Sequence, residues 1–144
     1  PVADEEYYHN YVKPHVDGKT VMYLGEVDFG TKVSYLSRAR ALLYPVQYEE
    51  FFGIAMVEAL ATGTPVIGFA RGFVTEIVKH GITGYLVNSL EEIMQTMKMV
   101  DSLDPFVCRK DAEERFSSEV MAKRYEMVYR QLIEEESIWY NRLG

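Results

Sequence analysis

Cysteine is almost missing from this chain of 144 residues: Cys108 stands alone. A single thiol excludes an internal disulfide framework and fits a reducing compartment, so a cytoplasmic location is expected. On a helix, one small apolar residue of this kind is expected to pack rather than react. Long hydrophobic runs are missing too. No stretch approaches the ~18 to 20 apolar residues of a membrane span, and nothing resembles a secretory leader. Positive charge is in deficit, since 15 Lys and Arg face 22 Asp and Glu, giving a net charge of −7 with no basic block or stripe. Nucleic acid is not expected as a partner, because phosphate contacts would have to supply most of that affinity. An anionic small molecule fits only where backbone dipoles or a few cations act locally. There is also no G-x-S-x-G elbow, no Walker A loop and no G-x-G-x-x-G fingerprint. His9, His15 and His80 share no metal-ligand spacing with cysteine or carboxylates. They read as solvated or capping side chains, and no metal site is expected.

What is present suits an ordinary globular domain: 48% hydrophobic and 26% charged residues, enough to build a sizeable core. Short apolar runs alternate with amphipathic ones. Thr20 to Leu24, Ala41 to Tyr44, Pro65 to Phe69 and Gly84 to Val87 read as strands. They are continuously apolar, as parallel strands covered on both faces are. Helices are expected at about Asp4 to Val12, Thr31 to Arg40, Gly53 to Ala61 and Phe73 to Lys79. The alternation predicts a three-layer α/β domain with a Rossmann-like parallel sheet. Residues 1–144 are read as one domain, with an α/β core to about residue 100 and C-terminal helices from 101 to 144.

The later helices have their own signals. Ser89 and Glu92 form a capping box before a helix with Leu90, Ile93, Met94, Met97 and Val100 on one side. That methionine-rich face is core or, alternatively, an adaptable binding surface. Asp104 to Phe116 reads as another helix. Ser118 caps a long one whose Met121, Tyr125, Val128, Tyr129, Leu132 and Ile133 should face inward. Glu134, Glu135 and Glu136 oppose the dipole at its end, so fraying or continuation onto another element is expected there. Ile138, Trp139 and Tyr140 then dock on the domain or reach a partner.

The stretch with chemistry in it is YEEFFGIAMVEALATGTPVIGF, residues 48 to 69. Its helix is apolar almost all round except for Glu58. At the start of that helix, N–H groups lack intrahelical acceptors and Gly53 lets another group approach the backbone. In an open α/β sheet such a junction lies at the carboxyl end, where ligands bind, and a phosphate fits there without a basic patch. Glu50 and Glu58 are eight residues apart, a rise of ~12 Å if all were helical. Carboxylates accept hydrogen bonds only, so they suit the hydroxyl-rich ends of a nucleotide-sugar. The other reading of Glu58 is an ion pair with a nearby Arg.

Glu50 to Glu58, followed by ALATGTPVIGF, resembles the E-x7-E segment of retaining GT-B glycosyltransferases, specifically glycosyltransferase family 4, the "group 1" transferases. The likeness runs through LSRARALLYPVQYEEFFG and RGFVTEIVKHGITGYLV and covers roughly Pro1 to Val100. It implies a nucleoside-diphosphate sugar as donor substrate, with no separate cofactor. Glu50, the candidate catalytic residue, would sit by the donor sugar hydroxyls. The backbone of Phe51, Phe52, Gly53 and Ile54 would lie along sugar and phosphate, and Glu58 would hold the ribose hydroxyls. Phe51 replaces a proline common in the family. Arg71 and Gly72, in the loop after the Pro65 to Phe69 strand, would lie near the diphosphate; Arg71 is a phosphate ligand or a plain surface arginine.

Family members have two Rossmann-like domains, and this chain matches the second, the C-terminal half of a GT-B fold. The first strand and helix of that half, with the basic pair for the donor phosphates, would precede Pro1. The chain is thus expected to be a fragment, a split subunit or a remnant. Its acceptor, a glycan or small molecule, would be bound through a missing N-terminal domain or a partner chain; self-association is also compatible. The functional expectation is the donor-binding half of a retaining transferase. The alternatives are a non-catalytic nucleotide- or partner-binding remnant and a hydrolysing sugar-nucleotide epimerase of related fold.

Overall fold

The structure is a computed structural model that describes residues 4–48 and 51–142, with side chains through Glu134. The chain divides into two compact units, Pro1–Lys32 and Val33–Gly144.

In the first unit, Asp4 Oδ1 accepts the Tyr7 N–H at 2.8 Å and opens a one-turn helix, α1 (Glu5–Tyr7). The helix widens into a π-type turn over Tyr8–Val12 and tightens to a 3-10 turn over Lys13–His15. The helix expected from Asp4 to Val12 is therefore present, but only its first turn is α-helical. The strand expected from Thr20 to Leu24 does not form. Asp17 Oδ1 accepts the N–H groups of Lys19, Thr20 and Val21 at 2.8, 2.7 and 2.9 Å. Donors that a ladder would need are used in a local turn instead. The Val21 and then the Lys19 hydrogen bond hold the Asp17 carboxyl down at about 2.

Helix α2 (Phe29–Leu36) starts where Asp28 Oδ1 accepts the Thr31 N–H at 2.9 Å, and it ends four residues short of the expected Arg40. In the second unit, β1 (Leu42–Tyr44), α3 (Ile54–Ala61), β2 (Val66–Phe69), α4 (Val74–Ile77), β3 (Gly84–Val87) and α5 (Leu90–Thr96) follow in strict alternation. The sheet is parallel in the order β1-β2-β3, with Tyr44 opposite Gly68 and Phe69 opposite Val87. Successive residues of β2 point to opposite faces. Val66 joins Met56 and Leu60 of α3, Val74 and Ile77 of α4, and Cys108 and Ala112. Ile67 and Phe69 join Tyr85, Val87 and Ile93 of α5. The sheet is thus covered on both faces, the expected α/β architecture, with three strands rather than four.

Two C-terminal helices complete the unit. Asp104 Oδ1 accepts the Phe106 N–H at 2.8 Å and opens α6 (Pro105–Phe116), which covers the same sheet face as α3. Helix α7 (Ser118–Arg142) is 25 residues long and starts on Ser117, whose hydroxyl accepts the Val120 N–H, rather than on the expected Ser118. It continues past the three glutamates, where fraying or continuation onto another element was expected. Its stripe does not face inward: Met121, Tyr125, Val128, Tyr129, Leu132 and Ile133 are each more than half exposed. The sheet face is already closed by α3 and α6, leaving α7 no core to cover. On α5 the outcome is mixed. Ile93, and Val100 beyond the helix, are buried, whereas Leu90, Met94 and Met97 are exposed, because only the middle of this two-turn helix reaches the sheet. The side chains of Ile138, Trp139 and Tyr140 lie outside those described. Among the described residues, no helix is long and apolar enough to cross a membrane.

Candidate functional site

The parallel register brings the carboxyl ends of β1 and β2 side by side, with Tyr44 beside Gly68. The chain leaves both at the same edge, so residues 45–48 after β1 and the loop from Ala70 to Phe73 are neighbours. One hydrogen bond ties them: Arg71 Nη1 donates to the Gln47 carbonyl at 3.0 Å. Aromatic contacts add to it. Phe52 lies 6.4 Å from Phe73 and 6.1 Å, edge-on, from Phe116.

Gly53 occupies the N-cap of α3 at φ +70° and ψ +63°, a conformation that costs an L side chain about 1–2 kcal/mol. Among the described residues no side-chain hydrogen bond caps α3 at Gly53, and the helix start carries partial positive charge. Phe51 and Ile54 are largely exposed on either side of it. Gly72 also has positive φ, +49°, and its carbonyl accepts the Thr75 hydroxyl at 2.9 Å.

The helix from Gly53 to Ala61 reads from sequence as buried almost all round, and the structure corrects this. Only Met56, Ala59 and Leu60 are buried, on the face towards the sheet. Glu58 is half-buried. The eight residues from Glu50 to Glu58 are not all helical either, since α3 begins at Ile54. Glu50 itself lies outside the described residues. Phe52, Gly53, Ile54, Arg71 and Gly72 therefore share one edge of the sheet, with Glu58 one turn further along α3.

Other expected side chains have ordinary roles. His80 Nδ1 accepts the Leu86 N–H at 3.1 Å, and His9 lies 3.4 Å from Glu5 one turn back. Among the described residues, no group of three His, Cys, Asp or Glu side chains is placed to hold a metal ion.

The sequence reading missed the far wall. A groove of about 590 Å³ opens beside Phe52 and Phe73 and is bounded by Phe116, Tyr125 and Val128, with Glu76, Arg115 and Arg124 among its polar lining. Arg115 sits with its guanidinium carbon 4.5 Å from the Phe116 ring centroid. Its Nη1 donates to the Ile77 carbonyl at 3.1 Å and to Asp111 Oδ2 at 2.7 Å, and its Nη2 donates to the Glu76 carbonyl. Asp111 is buried and also accepts from Lys79.

Comparison with known proteins bears on the family and the fold. The chain is 28% identical over 134 residues to N-acetyl-alpha-D-glucosaminyl L-malate synthase of Bacillus anthracis, covering 85% of this chain and 33% of that protein. Among solved structures, it superposes on sucrose-phosphate synthase from Thermosynechococcus elongatus with a TM-score of 0.72 and 28% identity, over 90% of this chain and 34% of the other. A glycosyltransferase involved in avilamycin A biosynthesis gives a TM-score of 0.76 at 26% identity, over 94% and 42%. The chain thus spans about a third of the length of the curated relative. Residues 3–103 match the family model described as glycosyl transferases group 1, and the chain belongs to that family.

Proposed function

We propose that this chain is the donor-binding half of a retaining family 4 glycosyltransferase with the GT-B fold, and that it binds a nucleoside-diphosphate sugar at the carboxyl edge of its sheet. The observation that carries the reading is the Arg71 to Gln47 hydrogen bond, which holds the loop after β2 against the segment that leads to the start of α3. Two sources of positive potential then flank one space, and a diphosphate suits it despite the net charge of −7. Arg71 uses one Nη1 hydrogen on Gln47, which leaves its fork with further donors for phosphate oxygens. Glu58, half-buried on α3, takes the ribose diol, and Glu50 takes the donor sugar hydroxyls.

In retaining transfer the bond from the anomeric carbon to the diphosphate breaks and a bond to the acceptor oxygen forms on the same face. The acceptor proton passes to the leaving diphosphate, so the chemistry asks no general base of this chain. The acceptor is assigned to a further domain or partner chain.

Titration calorimetry with UDP, GDP and ADP tests the reading. One of them should bind, and Glu58→Ala should weaken it by about 1.5–3 kcal/mol, the range for hydrogen bonds to a charged group. Undiminished binding in that variant removes the ribose assignment, and no binding by the parent chain removes the donor site.

A further inference from the structure

Helix α4 is a single turn, Val74–Ile77, and it carries the Arg71–Gly72 loop at its amino end. One turn of helix cannot hold itself, because nucleation costs more than one hydrogen bond returns. No side chain caps its start, where Phe73 stands. Its end is different. Arg115, from α6, donates to the carbonyls of both Glu76 and Ile77, placing a cation at the negative end of the helix dipole. Asp111, one turn back on α6, holds the same guanidinium through Oδ2, and Lys79 reaches the other oxygen. The network joins the carboxyl end of the short helix to α6 over 30 to 40 residues of sequence.

We propose that Arg115 is a positioning residue for the candidate phosphate loop. By fixing the carboxyl end of α4 it sets where Arg71 and Gly72 stand relative to the start of α3, and the Asp111 carboxylate sets Arg115. The inference rests on the donor-site reading for its ligand, but not for its geometry. The fork matters more than the charge: a lysine at 115 has one nitrogen and cannot bond two carbonyls and a carboxylate in the planar arrangement a guanidinium offers.

The test uses the full chain and two variants, Arg115→Lys and Asp111→Asn, with two readouts. The first compares the affinity for UDP, GDP or ADP with that for the matching nucleoside. Arg115→Lys should weaken the diphosphate about tenfold and leave the nucleoside unchanged, since only the phosphate contacts depend on the loop. A merely structural clamp would lower the melting temperature and move neither affinity, or both equally; either result overturns the proposal. The second readout is amide hydrogen exchange without ligand at Val74 and Thr75, which bond to the Arg71 and Gly72 carbonyls. Exchange there should quicken in Arg115→Lys while β2 stays protected, and unchanged exchange overturns the proposal. If the parent chain binds no nucleotide, the donor reading fails and exchange alone decides this inference. Should Arg115→Lys not fold, Asp111→Asn carries both comparisons, because it keeps the guanidinium and loosens its anchor together with the Lys79 contact.

Discussion

Cys108 has no exposed surface, and its Sγ lies 3.8 Å from the Thr83 carbonyl. Burial first, then the nearby Asp104 and Asp111 carboxylates, push its thiol up to about 11. The thiolate is the reactive form, so the native residue should be inert at pH 8. Labelling with a thiol-disulfide reagent is expected to follow the urea unfolding transition, and prompt labelling of folded protein would contradict the packing. The same shift has a consequence for stability. Native protein keeps a proton that the unfolded chain loses from near pH 9.0, so this contribution is full below pH 9.0 and declines as pH rises towards about 11. Cys108→Ala should remove that part of the slope in a pH series of urea melts.

At the scale of elements, helical periodicity tells which residues share a face but not what covers that face. Leu60 and Leu132 both lie on apolar stripes, yet Leu60 is fully buried against the sheet and Leu132 is more than half exposed on α7. Leu60→Ala should cost about 2–5 kcal/mol in urea unfolding. Leu132→Lys should move stability by no more than about 0.5 kcal/mol; a larger loss would mean that α7 is packed in solution. This difference also explains what could be read beforehand. The strands β1, β2 and β3 were legible because each is a continuous apolar run between turn residues. Thr20 to Leu24 has the same composition, but the Asp17 carboxylate takes its N–H groups, and that competition leaves no mark on hydropathy. In the candidate site, the positions of Gly53 and Arg71 were legible because both lie at strand-to-helix junctions. Phe116 and Arg115 were not, because they reach the site from a helix some 40 residues later. Nothing around them in sequence marks the carbonyls they meet.

For the whole molecule, what matters is where the core and the site fall along the chain. Both core clusters are built from residues at or beyond Leu36, and so is every described residue of the candidate site. Among the described residues, the first unit supplies none of them. The natural place to begin a shorter chain is Asp28, whose carboxylate accepts the N–H and hydroxyl of Thr31 at the start of α2. Those two bonds hold its carboxyl below the ordinary aspartate range, so the cap is charged at neutral pH. Starting later would remove that cap from a helix of only eight residues. A chain of residues 28–144 should therefore unfold in one cooperative urea transition and bind the same nucleoside diphosphate within about threefold of the full chain, a difference under 1 kcal/mol. Loss of the cooperative transition would show that the first 27 residues complete the fold. A cooperative fold with affinity lowered more than about tenfold would instead place part of the donor site in the segment before Asp28.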